Sequence, residues 1–260
     1  MKFSACIEWL FSEDAPSSFP DRIRLAKENG LDAVEFWKWS NKDIDGIEAA
    51  LKQTGLPLAG FVAEPMIPLT DPANMETFLH GLEESAALAQ RLGAGVLIAQ
   101  AGNDLEGHDR ASQRAALVDC LRGAGKVLEG KGVRLGVEPL NTKVDHQGYF
   151  LDSTVEALDI MDEVGSPSVG IVYDLYHSAV MGEKIEDVLA GRLQHVFHAH
   201  VADHPGRGAP GTGRLDLAER LQWLFKSGYG GVVGLEYKPG GMNAGTMQDI
   251  LARLQQPSAS

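Results

Sequence analysis

Short apolar runs alternate with longer amphipathic stretches along the whole chain. Runs of about four to eight apolar residues bounded by glycine or proline predict buried strands, and stretches with apolar residues three or four positions apart predict helices. The strand-like runs are 3–8, 33–36, 58–62, 96–99, 133–138, 169–174, 196–201 and 232–236. With the stretches between them they make eight strand–helix units. Such strict alternation indicates parallel strands with helices packed outside them.

The stretches predicted to be helical mostly end just before a glycine, the residue that closes a helix at least cost. They are 19–29, 44–54, 74–92, 108–129, 153–164, a weaker one at 185–190, 215–227 and 244–254. Eight units without a dinucleotide-binding glycine fingerprint after the first strand favour a closed (β/α)8 TIM barrel over a doubly wound sheet. We assign residues 1–256 to a single TIM-barrel domain and expect 257–260 to be a disordered tail.

Length and charge narrow the class of protein. The 260 residues match the roughly 250 that one α/β barrel needs. The formal net charge of −13 argues against nonspecific nucleic-acid binding, which needs a basic face. Cys6 and Cys120 lie far apart and indicate neither a disulfide framework nor a cysteine metal site. Because we also see no signal peptide and no apolar run near the roughly 20 residues of a membrane span, we expect a cytoplasmic protein that binds neither nucleic acid nor membrane.

Four predicted strands in the second half of the chain end in a side chain that can bind a divalent cation. These side chains are Glu138, Asp174, His200 and Glu236. A carboxylate or imidazole at the end of a buried strand is costly unless it is paired, hydrogen-bonded or metal-bound. Because the carboxyl ends of barrel strands meet at one face, we expect the four groups to converge there. Three carboxylates and one imidazole suit Mn²⁺ or Mg²⁺, with Co²⁺ as a further option, better than Zn²⁺.

Motifs at these strand ends resemble one family. They are V-E-P-L-N-T at 137–142, V-Y-D-L-Y-H at 172–177, H-V-A-D-H-P-G-R at 200–207 and G-L-E-Y-K-P at 234–239. The set resembles the xylose-isomerase-like TIM barrels. Within them the chain is most similar to hydroxypyruvate isomerases, on the segments F-S-A-C-I-E-W-L-F at 3–11, D-A-V-E-F-W at 32–37 and N-T-K-V-D-H-Q-G-Y-F-L at 141–151. The resemblance covers nearly the whole chain and implies a metal-dependent isomerase of carbohydrate metabolism.

The resemblance also implies roles for individual residues. Glu138, Asp174 and Glu236 match metal-binding carboxylates of the family. Glu138 and Glu236 also match its acid/base pair. His177 matches a histidine near the substrate, and Arg207 matches an arginine of the P-G-R loop that contacts a substrate oxygen.

Three positions bear on the choice of substrate. Position 200 is His, where many hydroxypyruvate isomerases carry Gln and the related ketose 3-epimerases carry His. Glu64, directly after the third predicted strand and followed by Pro65, is a further candidate for substrate contact. Arg207 can bind a carboxylate through two parallel hydrogen bonds, which suits an acidic substrate.

The favoured function is interconversion of hydroxypyruvate and tartronate semialdehyde, or of a related small hydroxy-oxo acid, through an enediolate. Two carboxylates would share the base and acid duties, and a cation would neutralise the developing charge. The alternative is a ketose 3-epimerase of the tagatose or allulose type, which uses the same enediolate. An endonuclease of this fold is disfavoured by the net charge, and a non-enzymatic binding barrel by the intact ligand set. Relatives are commonly homo-oligomers, so self-association is a further option.

Overall fold

Eight parallel strands close into a barrel in the computed structural model of the chain, which describes residues 1–240 and 245–256. The strands are β1 Lys2–Cys6, β2 Ala33–Phe36, β3 Leu58–Val62, β4 Val96–Ala99, β5 Arg134–Val137, β6 Val169–Asp174, β7 Val196–Val201 and β8 Val232–Leu235. Each strand pairs with the next along the chain, and β8 returns to pair with β1. This architecture confirms the predicted (β/α)8 TIM barrel.

The helices connect successive strands. They are α1 Phe19–Glu28, α2 Ile44–Thr54, α3 Met75–Leu92, α4 Arg110–Leu128, α5 Thr154–Val164, α6 Leu175–Met181, α7 Ile185–Leu189, α8 Leu217–Lys226 and α9 Met247–Gln255. Short 3-10 turns precede α3, at Pro72–Asn74, and β7, at Leu193–His195. In the ranges 1–240 and 245–256, we find no helix with the length and apolarity that a membrane span requires.

Capping residues set the helix boundaries. At the start of α2 the Asp43 side chain accepts a hydrogen bond from the Gly46 backbone N–H, and Gly55 ends the helix with a φ of 69°. Glycine reaches this left-handed region at little cost, which explains why glycines follow the predicted helices in the sequence. The Asp109 side chain caps α4, so that helix begins at Arg110 and not at the predicted 108.

The segment between β6 and β7 differs from the prediction. The weak helix predicted at 185–190 corresponds to α7, but a further helix, α6, follows β6 without a loop. Helix α6 has seven residues, too few to show an apolar period in the sequence, and the Asp174 side chain caps its first turn. The predicted start of the last helix at 244 and the predicted tail at 257–260 lie outside the described residues.

The apolar core has two parts. One face of each strand packs against the surrounding helices in a large cluster that includes Phe3 and Val201. The other face points into the barrel, where Val62, Ile98 and Val172 pack against Trp37. Because side chains alternate along a strand, inward positions of β6, β7 and β8 lead directly to the end of the barrel where the strands stop.

Candidate metal centre and active site

The four strand-end side chains singled out by the sequence meet at one end of the barrel. Glu138 follows β5, Asp174 ends β6, His200 lies in β7 and Glu236 follows β8. All four are buried, and each offers a ligand atom within 4.8 Å of those of the other three. Residues that are distant along the chain are therefore close enough to share one cation.

Asp174 serves a helix and the site with different oxygens. Its Oδ1 accepts hydrogen bonds from the backbone N–H groups of Tyr176 at 2.7 Å and His177 at 3.3 Å, in the first turn of α6. Its Oδ2 is buried, and no described residue gives it a hydrogen bond. Burial raises the pKa of the Asp174 carboxyl by more than the charges of Arg207 and His200 lower it. The Oδ2 atom is thus available as a cation ligand.

His200 lies between two groups of carboxylates. Its Nδ1 is 2.8 Å from Glu138 Oε1 and 3.8 Å from Glu236 Oε2. Its Nε2 is on the opposite side of the ring, 3.1 Å from Glu35 Oε1. Burial lowers the pKa of the imidazole, but the three carboxylates outweigh this effect and raise it well above its ordinary value. The raised pKa indicates a strongly negative environment, which is one that attracts a cation.

Two nitrogen donors hold Glu236. Trp37 Nε1 donates to Oε1 at 2.8 Å, and Arg207 Nη2 donates to Oε2 at 2.7 Å. Burial raises the pKa of the Glu236 carboxyl, but the charges of His200 and Arg207 outweigh burial and bring it below the ordinary value. Glu236 is therefore ionised at neutral pH, as both a metal ligand and a general base must be.

The donor set fits a hard divalent cation. Three carboxylates buried in one small volume are costly unless a cation neutralises them. The Asp174 Oδ2 atom is the observation that fits best, because buried oxygens without a donor are rare in folded proteins. Three oxygen ligands and one ring nitrogen suit Mn²⁺, Mg²⁺ or Co²⁺. Glu138, Asp174, His200 and Glu236 are the residues that would hold the ion.

The candidate centre borders a cavity of about 360 Å³. Its lining combines ionisable groups with apolar walls, among them Glu138, His200, Arg207, Glu236, Trp9, Trp37, Met66 and Leu140. Cavities of this size that are mostly apolar and carry a few convergent polar groups are typical small-molecule sites. The cavity therefore has the size and chemistry for a small polar substrate placed against Glu138, His200 and Glu236, three of the four candidate ligands.

His177 lies beside Asp174 as a neutral hydrogen-bond donor. Its Nδ1 accepts from the backbone N–H of Asn141 at 3.2 Å and from the Asn141 amide at 2.6 Å, so the ring proton is on Nε2. That Nε2 is 3.6 Å from Asp174 Oδ2 and has no hydrogen-bond partner among the described residues. Burial and the charge of Arg207 lower the pKa of His177 to about 4. Its N–H can therefore donate to a substrate oxygen at neutral pH.

Arg207 brings a buried positive charge to the cavity. Its guanidinium lies 5.0 Å from the ring centroid of Trp9 and 5.7 Å from that of Tyr176. The backbone φ of Arg207 is 54°, a left-handed conformation that costs a non-glycine residue energy and is often found where function fixes the side chain. Its Nε is buried without a hydrogen-bond partner in the described chain, so the guanidinium retains a donor for a bound anion.

The Glu64 carboxylate is bound by the loop after β2 and does not line the cavity, so the structure does not support its predicted contact with the substrate. Its carboxylate accepts hydrogen bonds from the Trp39 backbone N–H at 2.7 Å and from the Ser40 N–H and hydroxyl at 3.0 and 2.6 Å. It is not among the residues that line the cavity. Glu64 instead fixes the loop after β2, because its oxygens are already used by that loop. We leave it out of the site.

Three residues near the centre have no assigned role from the sequence. Glu35 contacts His200 from inside the barrel, Trp37 donates to Glu236, and His146 lines the cavity with its ring centroid 5.3 Å from that of His177. The signal for Glu35 was its position at the end of a predicted strand. His146 lies within the N-T-K-V-D-H-Q-G-Y-F-L segment, but nothing in the sequence places it in the cavity.

Comparison with known proteins gives the same fold and a family. The family model described as xylose isomerase-like TIM barrel matches residues 23–256. The hydroxypyruvate isomerase of Escherichia coli is 30% identical over 246 residues, which is 92% of this chain and 94% of that protein. A Streptomyces coelicolor protein, provisionally named hydroxypyruvate isomerase, is 34% identical over 259 residues, which is 92% of this chain and 91% of that protein.

Solved structures extend the comparison. The crystal structure of a family 2 AP endonuclease from Brucella melitensis has a TM-score of 0.87 at 29% identity and covers 96% of both chains. A D-psicose 3-epimerase from Clostridium cellulolyticum with D-tagatose has a TM-score of 0.78 at 20% identity, covering 95% of this chain and 89% of that one. At that identity the epimerase shows a common fold alone. The family model and the relatives together show that the chain belongs to the xylose isomerase-like TIM barrel family and, within it, to the isomerases related to hydroxypyruvate isomerase.

Proposed function

We propose that the chain is a divalent-metal-dependent isomerase that interconverts hydroxypyruvate and tartronate semialdehyde, or a related small hydroxy-oxo acid, through an enediolate. The observation that carries the proposal is the convergence of four buried ligand groups at a cavity that also contains the buried Arg207. The names of the sequence relatives support this substrate class.

The two candidate acid/base residues approach the cavity from different sides. Glu138 follows β5 and Glu236 follows β8. Strands β6 and β7 lie between these two strands in the barrel. A bound divalent cation would act as a Lewis acid toward the two neighbouring oxygens of the substrate. A substrate held between the two glutamates can then lose a proton to one carboxylate and receive a proton from the other.

The proton inventory of the reaction balances with these residues. One glutamate takes a proton from C3 of hydroxypyruvate, and the electron pair of that C–H bond forms the C2–C3 double bond of the enediolate as the carbonyl pair moves to its oxygen. The other glutamate takes up the hydroxyl proton of the C3 oxygen and delivers it to C2, and the first glutamate passes its proton to the C2 oxygen, so both end as carboxylates. The hydroxyl proton on the C3 oxygen is lost as that carbon becomes the aldehyde, and the C2 oxygen gains one. His177 Nε2 has no hydrogen-bond partner among the described residues, which supports a role for it as a donor to a substrate oxygen during these steps.

Arg207 supports an acidic substrate. Its guanidinium is buried, faces the cavity and has an Nε without a partner in the described residues. Hydroxypyruvate and tartronate semialdehyde each carry a carboxylate next to the reacting carbons, and an arginine can bind a carboxylate through two parallel hydrogen bonds. A ketohexose has no carboxylate to offer.

A ketose 3-epimerase is the second candidate, and one observation favours it. Position 200 is His, the residue that the related epimerases carry where many hydroxypyruvate isomerases have Gln. An epimerase would use the same glutamates but return the proton to the opposite face of one carbon. The endonuclease alternative receives no support from charge, since the net charge of −13 is unfavourable for a phosphate backbone.

A proton NMR assay in D₂O distinguishes these functions. The Mg²⁺-loaded protein is incubated separately with hydroxypyruvate, tartronate semialdehyde and D-tagatose. We expect interconversion of the two acids, with deuterium incorporated at C3 of hydroxypyruvate and C2 of tartronate semialdehyde. Deuterium at C3 of the ketohexose, with inversion and without turnover of the acids, would support the epimerase instead. Absence of exchange in all three substrates would contradict both.

A further inference from the structure

Glu35 is a buried carboxylate inside the barrel that the proposed reaction does not use. Glu35 is 2% exposed and lies in β2. Its Oε2 accepts a hydrogen bond from the Ser4 hydroxyl at 2.7 Å and lies 2.8 Å from His198 Nε2. Its Oε1 lies 3.1 Å from His200 Nε2. The carboxylate thus connects the interior of the barrel to the one nitrogen ligand of the candidate centre.

The two facing atoms of Glu35 and His200 depend on each other. Glu35 Oε1 and His200 Nε2 lie 3.1 Å apart, and neither atom makes a hydrogen bond of good geometry with any described residue. Buried polar atoms are rarely left unpaired, because desolvation without a hydrogen bond costs free energy. A proton on His200 Nε2 would satisfy both atoms at once. The same proton would leave Nδ1, which faces Glu138 and Glu236, with a lone pair for a cation.

The neighbouring strand leaves space for this pair. A Cβ atom at Gly234 in β8 would overlap both the Glu35 carboxylate and the His200 ring. Gly234 pairs with His200 across the β7–β8 ladder, so a larger residue would displace the ring. The absence of a side chain at Gly234 therefore lets the Glu35 carboxylate and the His200 ring lie against each other.

We infer that Glu35 is a positioning residue of the cation site: its Oε1 accepts the Nε2–H of His200, which fixes the ring orientation and makes Nδ1 the ligand atom. The inference rests on the metal dependence in the proposed function. A carboxylate that accepts the second ring N–H of a metal-binding histidine typically contributes about 10- to 100-fold in metal affinity. Glu35 also lines the cavity, but in this role it acts through His200 and is not itself a ligand of the cation.

A second cation on Glu35, His198 and His200 is the competing interpretation, since these side chains also form a close buried group. The contacts of Glu35 favour hydrogen bonding. Its Oε2 already receives the Ser4 hydroxyl and faces His198 Nε2 at a hydrogen-bond distance. With these two partners Oε2 has little capacity left for a metal ion, so Glu35 could offer a second cation only Oε1, the oxygen that faces His200 Nε2. We therefore expect one bound divalent cation per chain.

The test is a titration of the purified metal-free protein with Mn²⁺, in which electron paramagnetic resonance measures the free ion. We expect Glu35→Ala to weaken Mn²⁺ binding about 10- to 100-fold. Glu35→Gln keeps an acceptor oxygen but no charge, and we expect it to retain most of the wild-type affinity. If Glu35→Gln is as weak as Glu35→Ala, the effect is one of charge and the inference fails. Ser4→Ala is the matched control, since it loosens the same carboxylate on its other oxygen; we expect a change below about threefold.

A double-mutant cycle isolates the path through the ring. In a His200→Ala background, Glu35→Ala should change the Mn²⁺ dissociation constant less than about threefold, because no imidazole is left to position. An equal loss in both backgrounds would overturn the inference. Two Mn²⁺ ions per chain would do the same in favour of the second cation site. If Glu35→Ala does not fold, Glu35→Gln takes its place in both backgrounds. A nitrogen-15 NMR spectrum of the Mg²⁺-loaded wild-type protein then reports which ring nitrogen of His200 carries the proton. We expect the proton on Nε2, and a proton on Nδ1 would contradict the assignment.

These measurements contain no substrate, so they separate the inference from the proposed reaction. A protein that binds one Mn²⁺ through the Glu35–His200 pair but turns over no hydroxy-oxo acid would retain the inference and lose the reaction. A wild-type protein that binds no Mn²⁺ would overturn both.

Discussion

Arg207 donates a hydrogen bond to Glu236 across 2.7 Å, so the cationic group at the cavity is already paired with one of the two candidate acid/base residues. A substrate carboxylate that binds Arg207 must share the guanidinium with Glu236 or replace that contact. Substrate binding and the basicity of Glu236 are therefore linked, because loss of the arginine contact removes one of the charges that lower the Glu236 pKa.

Arg207 gives the first prediction. We expect Arg207→Lys to raise KM for hydroxypyruvate by about 10- to 100-fold, because lysine keeps the charge and loses the two-point hydrogen bonding to a carboxylate. Steady-state kinetics on the acid and on D-tagatose measure the change. An equal loss of kcat/KM on both substrates would argue that Arg207 serves the neutral sugar as well, which favours the epimerase.

Glu138 and Glu236 give the second prediction. Replacing either with Gln removes a proton-transfer group and one negative charge of the candidate cation site, so we expect kcat to fall by at least about 10²- to 10⁴-fold. Circular dichroism should show an unchanged barrel. Glu64→Gln is the control, since Glu64 is a carboxylate outside the cavity; its kcat should stay within about twofold. Near-wild-type turnover by Glu138→Gln or Glu236→Gln would remove that residue from the acid/base pair.

Removal of the cation gives the third prediction. Dialysis against a chelator should abolish turnover, and Mn²⁺ or Mg²⁺ should restore it. The melting temperature should also fall on chelation, because a ligand at about 100 times its Kd adds about 2.7 kcal/mol to the free energy of unfolding. Differential scanning calorimetry with and without added ion measures the shift. Full activity in protein shown by elemental analysis to be metal-free would exclude a metal-dependent reaction.

His177 gives a prediction about pH and stability. Its pKa of about 4 in the folded chain lies below the roughly 6.5 expected when it is unfolded. The unfolded chain therefore takes up a proton that the native ring does not, and the free energy of unfolding decreases as the pH falls from about 6.5 towards 4. Above pH 6.5 His177 causes no loss in the free energy of unfolding, and near pH 4 the loss reaches about 3 kcal/mol. Urea unfolding of the metal-free protein should show a flatter pH dependence for His177→Asn than for the wild type. Parallel curves for the two proteins would contradict the depressed pKa.

The part of the site that the sequence predicts is the part that depends on strand ends. Glu138, Asp174, His200 and Glu236 follow or end apolar runs, and parallel strands that close a barrel bring such positions to one face. This inference needs only the order of the strands. It does not need to know how far one strand is shifted against another.

Glu35 and Glu64 show where prediction from the sequence ends. Both are acidic residues at or after an early strand, and the sequence favours Glu64, which Pro65 follows, as the substrate contact. Glu64 accepts hydrogen bonds from the loop that follows β2, whereas Glu35 reaches across the barrel to a strand 163 residues further on. Those contacts depend on loop conformation and on strand register, which apolar periodicity does not report. Helix α6 is not predicted from the sequence for a related reason: it is short, and its start depends on the Asp174 side chain that caps its first turn.

The double use of Asp174 has a consequence for how the centre would bind its ion. One oxygen is tied to the start of α6, so the rotamer of the side chain is already chosen when the helix forms. The conformational entropy of this ligand is therefore lost during folding and not on arrival of the ion. Substitution by Asn would keep the helix tie and place an amide where the second oxygen now lies, so the two duties of this residue can be separated by a single exchange of oxygen for nitrogen.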